Sequence, residues 1–195
     1  MARTESSMVE LGSPAADFDL PIANPDVDNL EKRTRNITDY GDAEALVVVF
    51  WCNHCPFVQH IEPAFVKLAA EYQEQGVAFV AICSNNEVTH PQDSFENMGD
   101  RAEEIGYTFP YLRDDTQQVA QDYGAVCTPD FFVYNNEREL VYRGRFDGST
   151  PSKGLATGKD LRKALDELLE EGEVSHLQKP SLGCNIKWKE GNQPA

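Results

Sequence analysis

Residues 45–51, Ala-Leu-Val-Val-Val-Phe-Trp, form an uninterrupted apolar run bounded by polar residues. Its length and β-branched content predict a strand buried on both faces, central and parallel in its sheet. Residues 77–83 repeat the pattern. Between the two runs, Val58, Ile61, Phe65, Leu68 and Tyr72 recur at steps of three and four, the stripe of an amphipathic helix that stops before Gly76. Pro56 suits the first turn of that helix, and Pro63 is expected to kink it. Further along, the pattern predicts a helix from about Asp93 to Ile105, a short segment at 109–112 and a helix over 117–123. Strands follow at 131–134 and 140–145, with Asn135-Asn136 as turn chemistry between them. A last helix carries Leu161, Ala164, Leu165, Leu168 and Leu169 between Gly158 and Gly172. The first forty residues offer only a short alternation at Phe18 and Leu20 and a Pro/Asn/Asp-rich stretch from Pro21 to Asn29, read as a strand and loop on the edge of the domain. This order predicts an α/β domain with a mixed central sheet flanked by helices.

Length and composition sharpen the picture at two points. A chain of 195 residues with 41% hydrophobic residues supports one sizeable core and excludes wholesale disorder. A single domain over 1–195 is expected, with an N-terminal extension over 1–40 and a C-terminal tail over 177–195. The second point is charge: 33 Asp and Glu oppose 17 Lys and Arg, a net charge of −16. Such a surface repels phosphate backbones and anionic headgroups, so neither nucleic acid nor membrane is an expected partner. It fits a well-solvated surface or adaptation to high salt. No stretch approaches a membrane span, and the opening residues lack the apolar run of a signal peptide. A cytoplasmic protein is expected.

The five cysteines (52, 55, 83, 127 and 184) are too few and too scattered for a stapled scaffold, and in a reducing compartment a close pair reads as catalytic or metal-binding. Cys52-Asn53-His54-Cys55 follows the first buried strand and opens the first helix. A sulfur there meets unpaired backbone N–H groups and the positive end of the helix dipole, which favour the thiolate. The spacing lets one thiol close a disulfide on the other, so Cys52 is expected to attack and Cys55 to resolve. His54 adds positive charge or a hydrogen bond beside the thiolate, stabilising the reduced form. Zinc ribbons share the spacing, but no second close pair completes a zinc set from Cys83, Cys127, Cys184, His60 and His90. No cofactor or metal is expected. Thr128-Pro129 precedes an aromatic strand. The proline is either an ordinary trans residue at a strand start or a cis proline whose preceding backbone is open to an extended substrate. Cys83 reads as core, and His60 and Glu62 read as surface residues. Cys127 and Cys184 are candidates for a third redox thiol, Cys184 because a tail carrying Ile186 and Trp188 can fold back over the domain.

Four segments, residues 49–58, 109–112, 127–132 and 181–188, together resemble the redoxin-type thioredoxin family proteins of the alkyl hydroperoxide reductase/thiol-specific antioxidant superfamily. The resemblance runs from about Leu11 to Trp188. It implies a thioredoxin-like fold, Cys52 as nucleophile, Cys55 as resolving thiol, Pro129 as a cis proline, and Trp51, Thr128 and Pro129 as substrate contacts. Three features depart from the pattern. With Cys55 set at the peroxidatic position, Cys52 stands where peroxiredoxins carry threonine. Ala16 stands where many redoxins carry proline, and the strand before the cysteines lacks the buried aspartate of thioredoxin. Asp114 and Asp115 are alternatives for a proton acceptor by charge type alone. The expected activity is thiol–disulfide exchange on protein or small-thiol disulfides, with a thiol or thioredoxin-type electron donor. A thiol peroxidase and a soft-metal-binding module are the alternatives.

Overall fold

The computed structural model describes residues 3–28, 32–174 and 177–194. Its main sheet has five strands: β4 (Ala45–Phe50), β5 (Val77–Cys83), β6 (Tyr111–Arg113), β8 (Asp130–Tyr134) and β9 (Leu140–Gly144), in the order β6-β5-β4-β8-β9. β4 lies at the centre, parallel to β5 and antiparallel to β8, while β6 adds parallel to β5 and β9 antiparallel to β8. The fold is thus the mixed α/β sheet of a thioredoxin-like protein.

The unbroken apolar run of β4 has a direct cause in the packing. Ala45, Val47 and Val49 point to one face, where they meet α1 (Pro56–Gln73), α2 (Phe95–Ile105) and α4 (Lys159–Glu171). Leu46, Val48 and Phe50 point to the other, under α3 (Gln118–Asp122) and an N-terminal segment bearing Phe18, Leu20 and Ile22. Both faces are covered, so alternation disappears from the sequence. That N-terminal segment includes β2 (Asp19–Pro21), which pairs with β3 (Thr34–Asn36). Gly106 and Gly172, at φ +77° and +78°, end α2 and α4 in the left-handed conformation, which only glycine adopts without strain. Pro63 lies inside α1 without ending it.

The C-terminal tail departs from the pattern reading. Residues Leu182–Asn185 form β10, the middle strand of a second sheet. It pairs antiparallel with β1 (Arg3–Glu5) on one side and with β7 (Cys127–Thr128) on the other, Cys184 facing Thr128. Four residues rich in Gly, Cys and Asn carry no strand signature; their partners lie more than fifty positions away. Among the described residues no helix is long and apolar enough to cross a membrane.

Candidate active site

The chain leaves β4 at Phe50, and Trp51 to Cys55 lead into α1, with Cys55 as its N-cap and Pro56 in its first turn. Pro56 brings a preset φ and no N–H to satisfy, so the helix starts where the second cysteine sits. The Thr128–Pro129 bond is cis, and Thr128 faces the cysteines. Its Oγ1 lies 3.2 Å from the Cys52 Sγ and its carbonyl oxygen 3.2 Å from the Cys55 Sγ. The third thiol is that of Cys184, whose Sγ is 2.8 Å from that of Cys55. Three sulfurs thus meet beside Thr128, all of them buried thiols rather than a closed disulfide.

The surroundings set the three thiols apart. The hydrogen bonds with Cys184 first and Cys52 second overcome burial and bring Cys55 down to about 2. Burial and the hydrogen bond to Cys55 push Cys52 well up. The hydrogen bond to Cys55 and then burial raise Cys184. Of the three thiols, Cys55 at the helix N-terminus is the one whose surroundings favour the charged form, as the helix dipole also does.

Behind the pair stands an aspartate outside the candidates read from the sequence. Asp93, fully buried at the end of a short 3₁₀ turn (Pro91–Asp93), accepts hydrogen bonds from the Asn53 amide at 2.8 Å and the His54 amide at 3.2 Å. It also binds His54 Nδ1 at 2.5 Å and accepts from Asn85 Nδ2 at 2.8 Å. Burial works against its charge, but the bonds from His54 and Asn85 outweigh it and hold the carboxyl below its usual range. With Nδ1 committed to a carboxylate, the acceptor nitrogen of a neutral His54 is Nε2. Nε2 is buried and has no hydrogen-bond partner among the described residues. The His90 ring packs on His54 with centroids 4.9 Å apart. Asn85 extends the network to the tail by accepting from the Lys187 amide at 2.8 Å. Asn53 is pinned by donating to the carbonyls of Gln92 and Asn97, and it accepts from the Tyr111 hydroxyl.

The remaining expected residues are distributed unevenly. Trp51 is fully buried, and its indole N–H donates to Tyr107 Oη at 2.8 Å. Tyr107 in turn donates to Glu62, which Arg101 also holds. The reading of Trp51 as a substrate contact is corrected by this burial: its ring braces the strand–helix junction from inside. The surface assignment of Glu62 is corrected likewise, since a helix face that meets α2 is not solvent-facing. Pro129 borders a groove of about 280 Å³ shared with Phe57, Phe146 and Leu182. Cys127 is buried, its thiol raised by burial first and Asp130 second; it touches the Pro129 carbonyl and not the three-sulfur cluster. Cys83 is a core thiol pushed up to about 12 by burial and then by Asp93. Asp114 is consumed by Ser84 and the Ala120 amide, and Asp115 pairs with Lys189 and Arg113; neither joins the cysteines. Next to Pro129, buried Asp130 is held by Arg143, a pair that sequence gave no means of finding. As for a metal, donor atoms of Cys52, His54 and Asp93 come within 4.8 Å of one another. Asp93 already accepts four hydrogen bonds, so an ion there would displace them.

Residues 11–143 match the AhpC/TSA family. The thiol–disulfide oxidoreductase ResA of Geobacillus thermodenitrificans is 32% identical over 85% of this chain and 82% of its own length. A conserved protein from Geobacillus kaustophilus has a solved structure 46% identical, with a TM-score of 0.91 over 98% of each chain. One from Sinorhizobium meliloti 1021, also 46% identical, gives a TM-score of 0.90 over 96% of this chain and 100% of that one.

Proposed function

The chain belongs to the AhpC/TSA family and is an oxidoreductase, and from that premise we propose that it exchanges thiols and disulfides through Cys55 and Cys52. One observation carries the reading: the Cys55 sulfur stands at the N-cap of α1, 2.8 Å from the Cys184 sulfur and beside Thr128, which also meets Cys52. A thiolate is the attacking form of cysteine, and a protonated partner within reach is what turns attack into exchange.

Cys55 attacks a substrate disulfide, forming a mixed disulfide and expelling one substrate thiolate. Cys52 then attacks the Cys55 sulfur, the Cys52–Cys55 bond closes, and the second substrate thiol leaves. Cys52 must lose its proton for this step, and donor atoms of His54 and Asp93 lie within 4.8 Å of its sulfur. An external dithiol returns the pair to its reduced form. This reading assigns attack to Cys55, the N-cap of α1, and resolution to Cys52, the opposite order to the one expected from the spacing. Small-thiol or protein disulfides are the substrate class, and the relatives named thiol–disulfide oxidoreductase support it. Peroxide reduction is the weaker reading, since Cys52 occupies the place where a peroxiredoxin carries threonine.

Two serine variants test the assignment. Cys55→Ser is expected to abolish reduction of oxidised glutathione and insulin and to erase the thiolate absorbance near 240 nm at pH 5. Cys52→Ser is expected to keep that absorbance and to form no Cys52–Cys55 disulfide. Full turnover in the Cys55→Ser protein would overturn the proposal.

A further inference from the structure

β7 is the strand beside Pro129, where an extended substrate was expected to pair, and its ladder is already occupied. Cys184 and Asn185 of β10 pair with Thr128 and Cys127. The tail is tied on both sides of that contact. The Ser6 amide donates to Ser181 O at 3.0 Å, and the Ile186 amide to Val126 O at 3.0 Å. Lys187 is bonded to Asn85 through its amide and to Gln117 through its carbonyl. Gly183 permits the approach, for a Cβ there would overlap the Thr128 carbonyl oxygen. The docked strand sets Cys184 on Cys55, 2.8 Å between sulfurs.

We propose that β10 is a built-in substrate mimic: it closes the β7 edge to extended peptides and supplies Cys184 as a third redox thiol that exchanges with Cys55. The proposal rests on the exchange reading above and adds a step to it. After Cys55 has attacked a small disulfide RSSR, one RS⁻ departs and takes a proton from solvent. Cys184 attacks the Cys55 sulfur of the mixed disulfide, its proton passes to the second departing RS⁻, and the Cys55–Cys184 bond forms. Cys52 then attacks Cys55, the Cys52–Cys55 bond forms, and the proton of Cys52 returns to Cys184. Two electrons have passed from the dithiol to RSSR, and an external dithiol restores them. A groove of about 280 Å³ at Phe57, Pro129 and Leu182 adjoins the docked tail.

The Cys52→Ser protein traps the intermediate, because the last step is blocked. The reduced full-length variant is treated with one equivalent of oxidised glutathione, quenched in acid, alkylated and digested for mass spectrometry. The expected product is a peptide linked through Cys55 and Cys184, against a Cys52–Cys55 link in the unaltered protein. Glutathione retained on Cys55 with Cys184 alkylated would overturn the relay while leaving exchange intact. No disulfide at Cys55 in either protein would overturn exchange itself and the relay with it. Gly183→Val, checked for an unchanged circular dichroism spectrum, tests the closure separately. Iodoacetamide labelling of reduced Cys184 is expected to accelerate at least tenfold and insulin reduction to rise. Unchanged rates in that folded variant would overturn the closure; should it not fold, Ser6→Ala, which removes the bond from the Ser181 amide to the Ser6 hydroxyl, is measured in the same way, and unchanged rates there would overturn the closure too.

Discussion

At the residue scale, the site turns on side chains that hold charge where water does not reach. Asp93 is the clearest case. Its folded-state carboxyl is held below the ordinary value, with burial opposing and the bonds from His54 and Asn85 prevailing. A carboxyl depressed in the folded state contributes stability above its unfolded value, and that contribution fades as pH falls through the folded value. Asp93→Asn is therefore expected to cost about 1.5–3 kcal/mol at pH 7, the range for hydrogen bonds to a buried charge. The difference from the unaltered protein should shrink below about pH 4, where the free carboxyl protonates. Urea unfolding at pH 7 and at pH 3 measures both, and an equal loss at the two values would refute the account. Asp130 has the opposite sign. Burial first raises its carboxyl despite Arg143, so its charged form weighs against the fold at neutral pH. The cysteine roles belong to this scale too. Position 55 was visible in the sequence as half of a pair, but the thiol packed on it, Cys184, lies 129 positions away.

At the element scale, the helix that carries the cysteines is held by aromatic packing. Phe65 of α1 packs tilted or edge-on against Trp51, Phe79, Phe109, Phe131 and Phe146 at centroid distances of 5.1 to 6.1 Å. α4 is fastened to the same cluster through Gly158 at its N-cap. There φ is +69°, and a Cβ would stand 2.6 Å from Phe146 and 2.8 Å from Leu68. Gly158→Ala meets both a left-handed backbone and an occupied space, so a loss of about 1–3 kcal/mol is expected. Calorimetry should show the melting temperature falling by several degrees, at roughly 2–4 °C per kcal/mol for a chain of this size. No loss would mean that α4 shifts freely, contrary to this packing. The helices and strands of the central sheet were legible because each buries a periodic stripe or a continuous run. β1, β7 and β10 were not, for two to four residues cannot establish a period. Each is a strand only because the others lie beside it.

At the scale of the whole molecule, the net charge of −16 is spread over a surface whose carboxylates outnumber their cationic partners. Self-repulsion on this scale opposes compaction, and salt screens it as the Debye length contracts from about 10 Å at 0.1 M to about 3 Å at 1 M. The melting temperature is accordingly expected to rise between 0.1 M and 1 M sodium chloride. A fall over that range would show that the ion pairs, which salt also weakens, outweigh the repulsion.

The sequence by itself determined the α/β order, the strand-to-helix position of the cysteine pair, the proline that faces it and the acidic surface. These rest on periodicity, on composition and on chemistry between near neighbours, all of which are local. Only the tertiary structure decided that Asp93 and His54 stand together behind the pair, that Trp51 and Glu62 lie inside, and that Cys184 rather than Cys127 joins the thiols. Each of these depends on burial and on contacts between distant segments. A polar side chain in a loop carries no sign of whether folding will leave it in water or enclose it beside a partner.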